Sequence, residues 1–289
     1  MAKPFELATI SGATLAKLDR IVDRLRSELP GIPTMRTRDL DLPEPAICEG
    51  FFDGGRFSVY YSGLKPDVAP RFFQRLQAEI DRARLPLTLT LGGQSICVND
   101  NRAFKHRALA HFAAELGLSV RDIVTFGDSA QAGGNDETLV ATENGNSVGP
   151  RGHANPRAHQ TRLRFARGTA DVLSHLDPRM VRAIATDFDG TLTMDGNAAI
   201  WPFAARQLAR YINAGVPCAV ITGRGPSVFE LVLRPLLEAG ADPERLKALR
   251  FSLFNGANYL SAAQSPLAPM LDGVMSDVRS GSRGLGGLV

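Results

Sequence analysis

The chain has 289 residues, with 33 Lys+Arg against 30 Asp+Glu, a formal net charge of +3. Hydrophobic residues make up 44% and charged residues 22%, a globular balance that excludes wholesale disorder. The charge excess is too slight to mark a nucleic-acid or membrane-surface binder, and the length suggests one large domain or two modest ones.

Cys48, Cys97 and Cys218 are far apart, odd in number and match no zinc spacing, as expected for reduced thiols in a cytoplasmic protein. Lys3, Pro4 and Glu6 break the N-terminal segment, which lacks a secretory apolar core. The longest uncharged stretch, 211–223, is too short and too polar to span a bilayer.

Taken in chain order, 14–29 carries Leu15, Leu18, Val22, Leu25 and Leu29 on one helical stripe. Thr14 is the expected N-cap, and Pro30-Gly31 ends the helix. Segments 46–52 and 56–61 read as a hairpin around Asp53-Gly54-Gly55. A second helix is expected over 70–84, then short strands at 87–91 and 95–98 around Gly92-Gly93-Gln94. One helix with two strands, twice over, predicts an α+β layer with an antiparallel sheet.

From residue 103 the rhythm changes. Helices at 104–116, 169–176, 201–213 and 226–239 alternate with apolar strands at 123–126, 181–186, 218–221 and 251–254, with a short strand near Ser147-Val148. That alternation predicts an α/β fold with a doubly wound parallel sheet. The expected division is a small α+β domain at 1–98, a larger unit at 99–260, and a return segment with a flexible Gly-rich tail at 261–289.

The apolar strands run into Asp128, Asp187, Thr222 and Asn255. In a parallel sheet all strand C-termini share one edge, where open α/β folds bind ligands. Asp128 and Asp136 should therefore converge with Asp187 and Asp189, although the two pairs lie far apart in sequence. Such carboxylates repel unless a cation neutralises them, and oxygen donors without His or Cys point to Mg²⁺. A phosphate dianion there needs a further cation, for which Lys105 is the candidate; taken alone, that lysine also reads as a solvated helix residue. Thr222 offers a hydroxyl and backbone N–H groups to an anion, or simply caps a helix. Asp187 then serves as nucleophile, and Asp189 as general acid and base.

These residues resemble the haloacid dehalogenase superfamily of phosphotransferases. The run from Asp187 to Thr193, DFDGTLT, resembles its first motif, and Val220–Arg224, VITGR, its second. Lys105 resembles the third-motif lysine; Gly127-Asp128 with Asn135-Asp136 resembles the acidic fourth motif. Asn255-Gly256-Ala257 matches the NGA of Cof-type sugar-phosphate phosphatases. The resemblance covers roughly residues 90–260. It implies metal ligands Asp187, Asp189, Asp128, Asn135 and Asp136, catalytic roles for Asp187, Asp189, Thr222 and Lys105, and phosphate or substrate contacts from Gly190, Gly223, Arg224, Asn255, Gly93 and Gln94.

The motif order departs from the family, with motifs three and four ahead of one and two. This implies a circular permutation, or a boundary between two fused units, and makes the first domain an α+β cap. The spacing between Asp128 and Asn135 resembles phosphomannomutases, as does Gly92-Gly93-Gln94, but residues 1–90 show no counterpart of their arginine-rich substrate motif. The expected activity is a Mg²⁺-dependent phosphatase acting on a small polar phosphate ester, foremost a sugar phosphate. A phosphomutase and a non-catalytic binding protein are the alternatives.

An acid-free stretch, 151–168, carries Arg151, Arg157, Arg162, Arg164 and Arg167. It reads as a solvated loop or as a surface for an anionic substrate or partner. Nucleic acid is not the expected partner, since aromatic interleaving is missing.

Overall fold

Two hydrophobic rhythms build two different sheets. The computed structural model describes residues 4–37, 45–92, 95–194 and 199–272. Gly93, Gln94 and the tail beyond Asp272 lie outside the described residues.

In the first hundred residues, α1 (Gly12–Glu28), β1 (Arg36–Thr37), β2 (Ile47–Phe52), β3 (Gly55–Tyr61), α2 (Val68–Arg82), β4 (Leu87–Gly92) and β5 (Ser95–Asp100) form a five-stranded sheet under two helices. The strand order is β1-β2-β3-β5-β4, antiparallel except for the parallel pair β1–β2. Period-two alternation sends Val59, Tyr61, Ile96 and Val98 towards Leu18 and Leu25 of α1 and Phe72 and Leu76 of α2, in one buried cluster. Each of the aliphatic and phenylalanine side chains contributes about 1.5–3 kcal/mol on burial. The register places Cys48, Tyr60, Cys97 and Thr90 across the opposite face. The hairpin turn has positive φ at both Asp53 and Gly54, the I′ geometry that matches strand twist.

The second unit comprises α3 (Lys105–Glu115), β6 (Ile123–Gly127), β7 (Gly145–Ser147), β8 (His159–Gln160), α4 (Phe165–His175), β9 (Ala183–Thr186), α5 (Pro202–Asn213), β10 (Cys218–Ile221), α6 (Val228–Glu238), α7 (Pro243–Leu246), β11 (Arg250–Leu253) and β12 (Asn258–Ser261). Its seven strands run in the order β12-β11-β10-β9-β6-β7-β8. All pairs are parallel except β11–β12. β9 and β10 are buried at every residue, as strands covered on both faces must be. Residues of α3 pack with Ala183, Ala185 and Ile221 on one face. Those of α4, α5 and α6 pack with Ile184, Val220 and Phe251 on the other. The fold is thus α/β with a parallel-rich sheet.

The chain runs outward from β6 through β7 to β8, returns through α4 to β9 on the other side of β6, and runs outward again. Strand order therefore reverses between β6 and β9, and crevices at such points bind ligands in open α/β sheets.

The small sheet docks on the loop after β11. Asn99 Nδ2 donates to the carbonyls of Phe57, at 3.0 Å, and Phe254, at 3.3 Å. The Phe57 and Phe254 rings stack at 5.2 Å, and Ala8 N donates to Ala257 O at 2.9 Å. Gly50 sits at a bulge in β2, where a Cβ would lie 2.7 Å from the Phe254 ring.

Several elements differ from the sequence expectation. The N-cap of α1 is Ser11, whose hydroxyl accepts from Thr14 N at 3.1 Å, so Thr14 lies within the first turn. α4 starts at Phe165, four residues before the apolar stripe of 169–176 begins. β1 and β8, two residues each, are too short to show a period. The half-buried NYLS of β12 adds an antiparallel edge to a sheet expected to be parallel. The three cysteines are buried and unbridged, and no helix among the described residues is long and apolar enough to cross a membrane.

Candidate active site

Strand geometry alone carries two of the carboxylates to the β6/β9 crevice. Asp187 follows β9 and donates its N–H to Phe126 O on β6 at 3.0 Å. Asp128 follows β6. The loop between Asp128 and Asp136 folds back because Asp136 Oδ2 accepts from the backbone N–H groups of Asp128, at 3.1 Å, and Ser129, at 3.0 Å. One carboxylate oxygen from each of Asp128, Asp136 and Asp187 then lies within 4.8 Å of the others.

Lys105, at the start of α3, enters this cluster from the face opposite α4–α6. It is 1% exposed, and its Nζ donates to Asp136 Oδ1 and Asp187 Oδ1, each at 2.6 Å. This overturns the solvated-helix alternative for Lys105. Burial alone would lower its pKa, but the two carboxylates outweigh that and raise it, so the amine stays charged. One ammonium does not balance three carboxylates. Burial, then Asp136, push Asp128 up to about 7 against the pull of Lys105. Burial and the neighbouring Asp136 likewise raise Asp187 well above the ordinary carboxylate range. Such a cluster favours a cation that would let every carboxylate ionise.

The donors present fit a hard divalent cation: three carboxylates with no His or Cys among them. The Oδ1 of Asn135, next to Asp136 in the chain, is also buried without a hydrogen-bond partner. Gly190 makes room for the group. Its φ is +67°, and a Cβ there would lie 2.7 Å from Asp128 Oδ2.

The Asp189 side chain does not join the carboxylate cluster, contrary to the expected convergence of four carboxylates. Phe188 between them is fully buried in the core; the Asp189 side chain, 49% exposed, lies in the fork of Arg224 instead. Arg224 Nε donates to both Asp189 oxygens at 2.9 Å and Nη2 to Oδ1 at 2.7 Å. A fork of this kind fixes a carboxylate in direction as well as distance.

The β10 and β11 ends supply a polar wall. Thr222 is fully buried; its N–H bonds Ser252 O at 2.9 Å, and its hydroxyl accepts from Arg224 N at 3.1 Å. Asn255 N bonds Thr222 O at 2.8 Å. The Asn255 side chain lies over Gly223, where a Cβ would be 3.0 Å from its Oδ1, and that Oδ1 is buried without a partner. Its Nδ2 donates to Asn99 Oδ1 of the small sheet at 3.3 Å.

Three participants were not assigned from sequence. Thr191 donates its hydroxyl to Asp187 Oδ2 at 3.3 Å; it sits inside the DFDGT run, which was the available signal. Asn99 couples the small sheet to Asn255, a contact between distant segments that no local pattern announces. Tyr60 hydrogen-bonds Ser95 Oγ at 2.7 Å. Burial raises its pKa; Cys97, the partner of Tyr60 in the β3–β5 register, lies 3.9 Å from Asn255 Nδ2, so this face of the small sheet meets the β11 loop.

A scan against protein-family models finds no match to this chain, and a search of curated proteins finds no significant match either.

Proposed function

We propose that this chain is a Mg²⁺-dependent phosphomonoester hydrolase that works through an aspartyl-phosphate on Asp187. Its substrate is a small polar phosphate ester, a sugar phosphate foremost. The observation that carries the reading is the setting of Asp187: one carboxylate oxygen against the Lys105 ammonium, the other against the Thr191 hydroxyl, beside two further carboxylates. Support for the haloacid dehalogenase assignment, and for permuted motif order, comes from β6 and β9 being adjacent and parallel although β6 precedes β9 by the whole β7–β8–α4 segment.

Asp128, Asp136 and Asp187, with Asn135, are the residues that would hold Mg²⁺, whose chemistry is charge neutralisation and polarisation of phosphoryl oxygens. In the proposed reaction an Asp187 oxygen attacks phosphorus, the ester P–O bond breaks, and the alcohol oxygen takes a proton from Asp189. Lys105 and the Thr222 hydroxyl stabilise negative charge on the phosphoryl group. Asp189 then takes a proton from water as the water attacks the aspartyl-phosphate, and phosphate leaves. Arg224 keeps Asp189 at the mouth, where the leaving group departs. The small sheet, with Tyr60 and Ser95 on its facing side, acts as the cap that excludes bulk water.

The test is phosphate release from a panel of sugar phosphates with Mg²⁺ or EDTA, comparing wild type with Asp187→Asn. Metal-dependent release that falls by at least about a thousandfold in the variant is expected. Release unchanged in Asp187→Asn, or none from folded, Mg²⁺-binding protein, would overturn the reading.

A further inference from the structure

The arginines of 151–167, an arginine crescent of one sign of charge, lie on a segment bonded at both ends to the loops of the carboxylate crevice. Several backbone contacts bind this segment to the site. Val148 N donates to Gly127 O at 3.0 Å, and Ala154 N to Ala130 O at 2.9 Å. Gly149 packs so closely on Asp128 that a Cβ there would lie 1.6 Å from the Asp128 carbonyl oxygen. At the far end of the segment, Phe165 N donates to Val148 O at 2.9 Å and Ala166 N to Thr193 O at 3.3 Å. Phe165 holds φ +54° to do this, a conformation that costs a non-glycine residue and persists where the surroundings enforce it. The backbone that carries Arg151 is thereby tied to the Asp128 loop at one end, and the backbone that carries Arg164 and Arg167 is tied to Thr193, at the end of the Asp187 loop, at the other.

Arg151, Arg162, Arg164 and Arg167 are all exposed, and none forms an ion pair among the described residues. Arg164 only donates Nη1 to its own turn, at Thr161 O, 3.1 Å. Arg157, the fifth, lies 3.8 Å from Glu143. Four unpaired guanidinium groups on a short, acid-free segment are a surface for multidentate anion binding.

Resting on the phosphatase reading, we propose that the preferred substrate carries a second anionic group, a phosphate or carboxylate remote from the scissile ester, which this arginine crescent binds. A single phosphoryl group in the crevice already has Lys105 and Thr222, so the crescent adds recognition for charge that a neutral sugar lacks. A small dianion is favoured over nucleic acid because Leu163 is the large hydrophobic side chain exposed in the segment, and no Phe, Tyr or Trp is exposed there to stack on bases.

The test compares a hexose bisphosphate with the matching hexose monophosphate, using wild type and the variant Arg151→Gln/Arg162→Gln/Arg164→Gln/Arg167→Gln. At low salt the wild type should favour the bisphosphate in kcat/KM by about tenfold or more, through KM, and the preference should shrink as salt rises. The variant should lose that preference while its monophosphate kcat/KM stays within about twofold. A control with Lys17, Arg20, Arg71 and Arg84 each changed to Gln removes equal charge from the small-sheet unit and should retain the preference. Equal losses on both substrates, loss in the control as well, or no wild-type preference would each overturn the proposal. Calorimetric titration of both sugars into the Mg²⁺-loaded proteins reads the crescent without turnover. If no ester is hydrolysed but the binding preference is present and lost in the variant, the phosphatase reading falls and the anion site stands; absence of preference there overturns the site.

Discussion

Replacing Asp128 by asparagine should stabilise the metal-free protein while removing a carboxylate that the proposed chemistry uses. Burial and Asp136 raise the Asp128 carboxyl to about 7 in the folded state, against about 3.9 in the unfolded chain. A carboxyl raised by folding holds its proton more tightly when folded. Its favourable contribution is therefore complete below about pH 4 and is lost as pH rises through about 7. Three pH units at about 1.4 kcal/mol each set a ceiling near 4 kcal/mol; screening at a half-buried group trims this to about 2 kcal/mol. A chain of 289 residues has an unfolding entropy of roughly 0.6 kcal/mol per degree, so the variant should melt about 3 °C higher at pH 8. The assay is differential scanning calorimetry in EDTA across pH 5 to 8.5. The gap should be about 1 °C at pH 5, widen to about 3 °C near pH 8 and then level off. Added Mg²⁺ should stabilise wild type more than the variant. A variant that melts below wild type at pH 8 in EDTA, or a gap independent of pH, would refute the argument that burial and the neighbouring carboxylate make the ionised Asp128 unfavourable in this cluster.

Lys105→Met should cost about 3–5 kcal/mol in urea denaturation near neutral pH, because it strands Asp136 and Asp187 without their buried cation; part of the loss should be regained in acid. Gly190→Ala forces a Cβ against Asp128 at a left-handed backbone position. It should cost roughly 1–3 kcal/mol and weaken Mg²⁺ binding by about tenfold in calorimetric titration. Asn99→Leu removes the donor to Phe57 O and Phe254 O and the acceptor for Asn255. A loss of about 1–3 kcal/mol is expected, with faster hydrogen exchange in 253–257 as the readout.

Periodicity reveals an element when one face or both faces of a long enough segment are buried. That is why α1, β3, β9 and β10 were readable, while β1 and β8 were not: two residues contain no period. β12 was missed for another reason. Its NYLS sequence alternates burial, but it follows Asn255-Gly256 so closely that the turn signal masked the returning strand. At the site, convergence of Asp128 and Asp187 followed from the parallel-sheet rule alone. The split between Asp187 and Asp189 did not, since it depends on where Phe188 buries its ring and on Arg224 lying within reach. Lys105 was legible as a candidate, but its burial against two carboxylates is a tertiary fact. Asn99 gave no sequence signal because its role exists only once the small sheet meets the β11 loop.

The reversal of strand order at β6 has a consequence for the chain as it leaves the ribosome. The smaller sheet is complete once Asp100 has emerged, and it has its own buried cluster. The larger sheet begins at its middle: β6 gains β7 on one side at once, while its other side waits for β9. Until then the nascent chain carries an open central edge of unpaired backbone groups, the kind of surface that invites pairing with a neighbouring chain. Lys105 and Asp136 are also synthesised before Asp187, so the ammonium has only one of its two partners during that interval. Arrival of β9 pairs that side of β6, leaving the next open edge on β9 for β10, and completes the charge cluster in the same step, which ties assembly of the candidate catalytic group to the event that seals β6 into the sheet.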